Sequence, residues 1–415
     1  MPAMTSRIFN PPFATALWIG LIYATIPIVR RAREAFVAHW PAEFIAYAVI
    51  AVVVGAMVAA TVFMQLRRTR IGHADLVWLI AVAAVVVVWT RRLMGQPEEA
   101  VHFLEYGVLG VLLYRSLEIR VPDWTIYVTA ALGGLLVGTV DEIIQWLVPD
   151  RFWDFRDIVL NGGAVALVQI AIWRLVPRPA TATCRSSLRV LSRVAAVLVL
   201  LLTFCMAATP QRLTRLSNQV PLPPRLATGG DALCEYGYRH TVDDRTVFRS
   251  RLSLEDLARS DRELASRVAG ELKASRGAGG LSRAGIAPVD DPFGYEIRVH
   301  LFARNRNLNK ALGLEPESPD LQTHMTTAWR QNVILENFFG GTLEQSSYHW
   351  GPRRRREVEA AQDPDEYFAS RVGAHLITGV SEGQLRTLMS ILFVFFVACD
   401  LLLATPRSRP GSPPE

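Results

Sequence analysis

Eight apolar runs constrain this chain more than any other feature: residues 13–29, 43–65, 74–90, 101–118, 124–148, 157–176, 188–208 and 385–405. A helix crosses the hydrocarbon core of a bilayer with about 17 to 25 predominantly apolar residues, and every run reaches that length. Inside lipid, only helices and closed barrels satisfy all their backbone polar groups. The expected fold class is therefore a polytopic α-helical membrane bundle of about eight transmembrane helices, with an inserted soluble α+β domain before the last one. The first run passes directly into Arg30-Arg31 with no small-residue cleavage pattern, so it reads as a retained anchor and not a removed signal.

Composition agrees. Of 415 residues, 51% are hydrophobic and only 20% charged, which is too apolar for an ordinary soluble protein. The net charge of +6 comes almost wholly from arginine, since Lys273 and Lys310 are the only lysines. That balance fits positively charged loops beside a membrane; no nucleic-acid partner is expected. The arginine distribution favours a cytoplasmic N-terminus, although Arg30, Arg31 and Arg33 weigh against it. On that choice the long polar insert lies outside the cytoplasm.

The expected organisation is helices one to three over 1–90, helices four to six over 91–176, helix seven within 177–208, the soluble domain over 209–384, helix eight over 385–405 and a disordered Pro/Ser-rich tail over 406–415. Within the insert, 236–242 and 246–252 read as paired strands around an Asp243-Asp244 turn. Alternation across 295–303 reads as a further strand, with Arg298, His300 and Arg304 forming a charged, solvated face. Ser253 with Asp256 starts a helix to about Ala274, and Ser318-Pro319-Asp320 starts another to about Phe339. The run Arg353 to Arg356 reads as a solvated basic surface. Of the four cysteines only Cys234 falls in the insert, which leaves no disulfide framework and no metal-type cysteine pair.

Charged and polar groups interrupt runs four to six. A carboxylate or guanidinium at membrane depth costs roughly 2.5 to 3.5 kcal/mol even on mild insertion scales, so such residues need partners or a wet cavity. Alternating passage brings the start of helix four, the end of helix five and the start of helix six to one membrane face. Glu98, Glu99, His102, Glu105 and Tyr106 can then meet Asp141, Glu142, Gln145, Arg151, Asp154, Arg156, Asp157 and Asn161. Helical spacing puts His102 with Tyr106, Glu142 with Gln145, and Asp157 with Asn161 on shared faces. Gly133, Gly134 and Gly138 are placed to admit a close neighbour.

These residues resemble the VanZ-like family of membrane proteins over residues 90–175. The matching positions are His102-Phe103 with Tyr106, Glu142-Ile-Ile-Gln145, Pro149-Asp150-Arg151, and Asp157-Ile-Val-Leu-Asn161 followed by Gly162. Where the family usually carries a lysine shortly before the histidine, this chain has Pro97-Glu98-Glu99, so Arg91, Arg92 or Arg151 must balance the acidic groups. The resemblance implies a bacterial cell-envelope protein of a type associated with resistance to glycopeptide antibiotics; it implies no reaction.

Three readings of the cluster stand side by side. One is an ion-pair lock, Glu142 with Arg151 and Asp157 with His102, clamping the helices. Another is a site for an amphiphilic, lipid-linked or glycan ligand near the outer leaflet, with Arg151 on phosphate or carboxylate and Gln145 and Asn161 as amide donors. The last is an enzyme using Glu142 and His102 for acid–base chemistry on an envelope precursor. A structural anchor whose soluble domain carries the function is a further alternative. Membrane lipids are the expected partners; no cofactor and no metal are expected, and no nucleophile, phosphate-loop or dinucleotide motif is present.

Overall fold

The computed structural model describes residues 10–66, 72–94, 96–148, 153–176, 182–221, 232–274 and 289–405. Arg151, with Pro149 and Asp150, lies outside these, as do the tail from 406 and most of the proline-rich linker after Val220. The chain divides into two compact units, residues 1–203 with 388–415, and residues 204–387. The second unit brackets the expected insert with a few residues to spare on each side.

The first unit is all helix. Its elements are α1 (Pro11–Val37), α2 (Glu43–Leu66), α3 (His73–Arg92), a 3-10 turn (Pro97–Val101), α4 (His102–Leu117), α5 (Thr125–Leu147), α6 (Phe155–Leu175) and α7 (Arg185–Ala207). Each α-helix overlaps one of the apolar runs, and the 3-10 turn leads into the fourth. Among the described residues seven helices are long and apolar enough to cross a membrane: the Pro11–Val29 part of α1, then α2, α3, α5, α6, α7 and the last helix of the chain, Glu382–Ala404. At 16 residues, α4 is shorter than these. Phe13, Leu17, Val52, Phe63, Ile80, Val88 and Leu200 point outward. Such exposure would be costly in water and suits a lipid solvent.

The interior of this unit is built where small residues let backbones approach. A Cβ on Gly134 would fall 2.4 Å from Val165 Cγ2, and one on Gly138 would fall 2.7 Å from Asn161 Cβ. Both contacts join α5 to α6, so two of the three expected glycines do permit close passage; Gly133 instead meets Leu113 at an ordinary 3.7 Å. Helix α4 runs antiparallel to α5. Tyr106 reaches Asp141 at one end, and Tyr114 stacks on Tyr127 at the other with ring centroids 5.9 Å apart. Polar side chains tie the bundle across helices: Gln169 donates to the Gly110 carbonyl (2.9 Å), Trp18 to that of Glu105 (2.9 Å) and Tyr23 to that of Val137 (3.0 Å).

The second unit contains α8 (Pro210–Ser217), β1 (Glu235–Tyr236), β2 (Tyr238–Asp243), β3 (Thr246–Ser250), α9 (Leu254–Ala274), α10 (Pro292–Leu312), α11 (Pro319–Phe338), α12 (Gly340–Gln345), α13 (Pro352–Ala361), β4 (Phe368–Ala369) and β5 (Leu376–Ile377). The chain then enters α14 (Glu382–Ala404). β2 and β3 pair antiparallel with an irregularity at Thr241/Asp243, β4 adds parallel to β3, and β1 pairs parallel with β5. The hairpin and the two helix starts match the sequence reading: Ser253 Oγ accepts from the Asp256 N–H at 3.1 Å, and Pro319 opens α11, where Ser318 makes no side-chain cap.

The expected strand over 295–303 is instead part of α10. Asp291 caps it by accepting the Gly294 N–H at 2.9 Å, and Pro292 sits in its first turn. Phe293, Ile297 and Leu301 then recur every four residues into the core with Phe248, Leu257, Ile334 and Phe339. Apolar burial at helical spacing outweighs the local alternation. Arg298, His300 and Arg304 are consequently buried, not solvated: His300 is fully enclosed and Arg304 only 1% exposed. Arg298 donates to Glu271 of α9 at 3.3 Å, and α11 meets one polar atom each of the other two. His300 Nδ1 donates to Gln331 Oε1 (2.7 Å) and Arg304 donates to Asn332 Oδ1 (2.8 Å), while the guanidinium lies 4.7 Å from the Trp350 ring.

Candidate functional site

The polar residues of α4 to α6 meet at one end of the first unit. The 3-10 turn and the first turn of α4 supply Glu98, Glu99, His102 and Glu105; the last two turns of α5 supply Asp141, Glu142 and Gln145. Asp154 begins α6 by accepting the Arg156 N–H at 2.8 Å, so this helix starts two residues before the expected Asp157. Asp157 is left in the first turn, where the positive end of the helix dipole favours a carboxylate.

A cavity of about 240 Å³ opens here. One wall is apolar and comes from α1: Ile22, Ile26 and Val29. The rest is acidic. Glu98, Glu99, Glu105, Asp141, Asp154 and Asp157 line it together with His102 and Gln145, and no lysine or arginine does so among the described residues. Cations lie at the rim. Arg33 pairs with Glu98 at 2.8 Å, and Arg156 lies 3.7 Å from Glu99 and 3.4 Å from Asp154. Burial raises the Glu99 carboxyl above the usual carboxylate range, with Arg156 pulling it the other way. Among the described residues, no group of three or more His, Cys, Asp or Glu side chains is arranged to hold a metal ion.

The sequence-predicted residues thus separate into two sets. His102, Gln145 and Asp157 line the cavity. Tyr106, Glu142 and Asn161 are fully buried and do not line it. Tyr106 Oη donates to Asp141 Oδ2 at 2.9 Å, which fixes one wall carboxylate from behind. Glu142 accepts from the Gln145 side-chain amide at 2.9 Å and from the Asp154 N–H at 3.4 Å, joining the end of α5 to the start of α6. Asn161 packs on Gly138, and neither atom of its amide has a hydrogen-bond partner among the described residues. His102 Nδ1 lies 3.7 Å from Glu105. Arg151, expected as the central cation, lies outside the described residues.

Two parts of the site escape a reading of the sequence. The α1 wall lies about seventy residues away in the chain, and Thr25, one of the few polar residues within that apolar run, is the hint that this helix turns a face to something wet. The balancing cation for Glu98 is Arg33, which belongs to the extension of α1 beyond its apolar part. Comparison of the chain with family models, with curated proteins and with solved structures finds no match.

Proposed function

We propose that this chain is a VanZ-like integral membrane protein of the bacterial cell envelope that binds an amphiphilic, lipid-linked or glycan ligand near the outer leaflet. In this reading all eight apolar helices cross the membrane, the N-terminus is cytoplasmic and unit 204–387 is extracytoplasmic. The antiparallel course of α4 between the Tyr106–Asp141 and Tyr114–Tyr127 contacts supports counting it as a span despite its length.

One observation carries the reading: a cavity at the helix ends with an apolar wall on one side and six carboxylates on the other. An apolar wall receives a chain, and carboxylates accept hydrogen bonds from hydroxyl or ammonium groups. The acidic lining favours a head bearing hydroxyls or an amine over one bearing bare phosphate. Glu142 is enclosed and bound to Gln145 and to the start of α6, which supports a positioning role for it. Altered sensitivity to glycopeptide antibiotics of the teicoplanin kind is the expected phenotype.

The test is complementation of a deletion strain, scored by glycopeptide sensitivity. The wild-type gene should restore the parental response, and a Gln145→Ala/Asp157→Asn double variant that accumulates normally in the membrane should not. Full complementation by that variant, or by residues 204–387 on an unrelated anchor, would contradict the proposal.

A further inference from the structure

The second unit has a cavity of its own, of opposite character. It encloses about 380 Å³ and is lined by Arg212 and Arg215 of α8, by Glu235 and Tyr236 of β1, by Arg251, and by Glu382. Its position in the chain is informative. α8 begins three residues after α7 ends, and Glu382 is the first residue of α14; both of those helices are long and apolar enough to cross a membrane. The cavity is therefore bounded by the two segments through which the chain leaves and re-enters its membrane-length helices.

The charges within it do not cancel. Arg251 donates twice to Glu235, at 2.7 and 3.1 Å, a bidentate pair that occupies both groups. Arg212 is held between the Ala207 carbonyl, at 3.0 Å, and the Glu382 carboxylate. Both lining carboxylates thus have a fixed cation. Arg215 has no carboxylate partner among the described residues and is exposed. It lies one turn from Arg212 on the same face of α8, where residues three apart are neighbours. Leu213 is buried beneath that helix while Leu216 and Val220 are exposed beside the arginines. A short helix with a basic face and an exposed leucine, followed within three residues by an exposed valine and directly preceded by a membrane-length helix, has the makeup of an interfacial segment.

We propose that this cavity binds the phosphate group of an anionic phosphodiester, with Arg215 as its principal ligand and Arg212 as the oriented second cation. A guanidinium presents a planar pair of donors that matches two phosphate oxygens. The chemistry is the same for a lipid headgroup and for a free phosphate, and the two sources are separable by experiment. This site is independent of the acidic cavity at α4 to α6.

The full chain is placed in phosphatidylcholine nanodiscs containing increasing phosphatidylglycerol, and retained lipid is counted by native mass spectrometry. Wild type should retain phosphatidylglycerol selectively, and Arg215→Gln should weaken retention by about tenfold or more, the loss of a charge-assisted contact. That variant removes an exposed side chain without a carboxylate partner, so an unchanged unfolding midpoint is the expected control for folding. Displacement of the lipid by inorganic phosphate would assign the site to free phosphate esters; resistance to it would assign the site to the headgroup. Equal retention by wild type and Arg215→Gln would overturn the proposal. So would an equal loss from Arg386→Gln, an exposed arginine of α14 outside the cavity, because the attraction would then be diffuse charge and not a built site.

Discussion

At the scale of single residues, the acidic cavity depends on groups behind its wall. Tyr106 is fully enclosed and its one described hydrogen bond fixes Asp141. Tyr106→Phe should cost about 1–3 kcal/mol, because it leaves a buried carboxylate oxygen without its donor. Denaturant titration of the full chain in mild detergent measures this; an unchanged midpoint would mean that the bond contributes nothing. In the second unit, burial lowers the His300 pKa from 6.5 to about 4, with the bond to Gln331 opposing the shift. The unfolded chain therefore takes up a proton as pH falls through 6.5 while the folded chain stays neutral down to about 4. Stability is complete above pH 6.5 and declines towards pH 4, by about 3 kcal/mol over that window. Hydrogen exchange of α10 and α11, corrected for intrinsic rates, should show the decline in wild type and a shallower one in His300→Gln. Equal slopes would place the charge change elsewhere. The identity of the polar residues around the α4–α6 site was legible in the sequence because charge inside apolar runs is conspicuous. Their division into cavity wall and supporting layer was not, because it depends on rotations of three helices by fractions of a turn.

At the scale of elements, close approach of α5 to α6 positions Gln145 and Asp157. Gly134→Val should separate the helices, since a Cβ there already falls 2.4 Å from Val165. Overpacking of this kind costs about 1–3 kcal/mol. Gly133→Ala, at a position with 3.7 Å of clearance, should be tolerated. Comparing the two unfolding midpoints checks the interface directly, and equal effects would contradict it. Helices with a long apolar run were legible within a few residues, except that α1 runs on to Val37, as were those with a proline or Ser/Asp start, such as α9 and α11. α10 was not, although Asp291-Pro292 is a start signal of the same kind. The alternation from Tyr295 to Ala303 coexists with a four-residue repeat at Phe293, Ile297 and Leu301, and only burial decides between the two periods. The burial of His300 and Arg304 was hidden for a related reason: Gln331 and Asn332, which each meet one of their polar atoms, lie about thirty residues further along.

At the scale of the whole molecule, the proposed eight crossings require the α5–α6 connection to lie at one membrane face, and the α4–α5 and α6–α7 connections at the other. The last two do meet, since Asp123 accepts the Cys184 N–H at 2.7 Å. A cysteine at Asp365, which is exposed, should react with a membrane-impermeant maleimide in intact cells, whereas the exposed native Cys184 should react only after permeabilisation. The reverse pattern would invert the topology, and labelling of both would break the eight-helix count. Ligand capture at the acidic cavity is the most direct test of its role. A photocrosslinking amino acid at Thr25, which lines the cavity, is compared in living cells with one at Val52, which is exposed on α2. Thr25 should yield an adduct whose mass corresponds to an amine- or hydroxyl-bearing amphiphile that is absent at Val52, and the adduct should be lost with Asp157→Asn. Identical bulk-phospholipid adducts at both positions would contradict a ligand site at the ends of α4, α5 and α6.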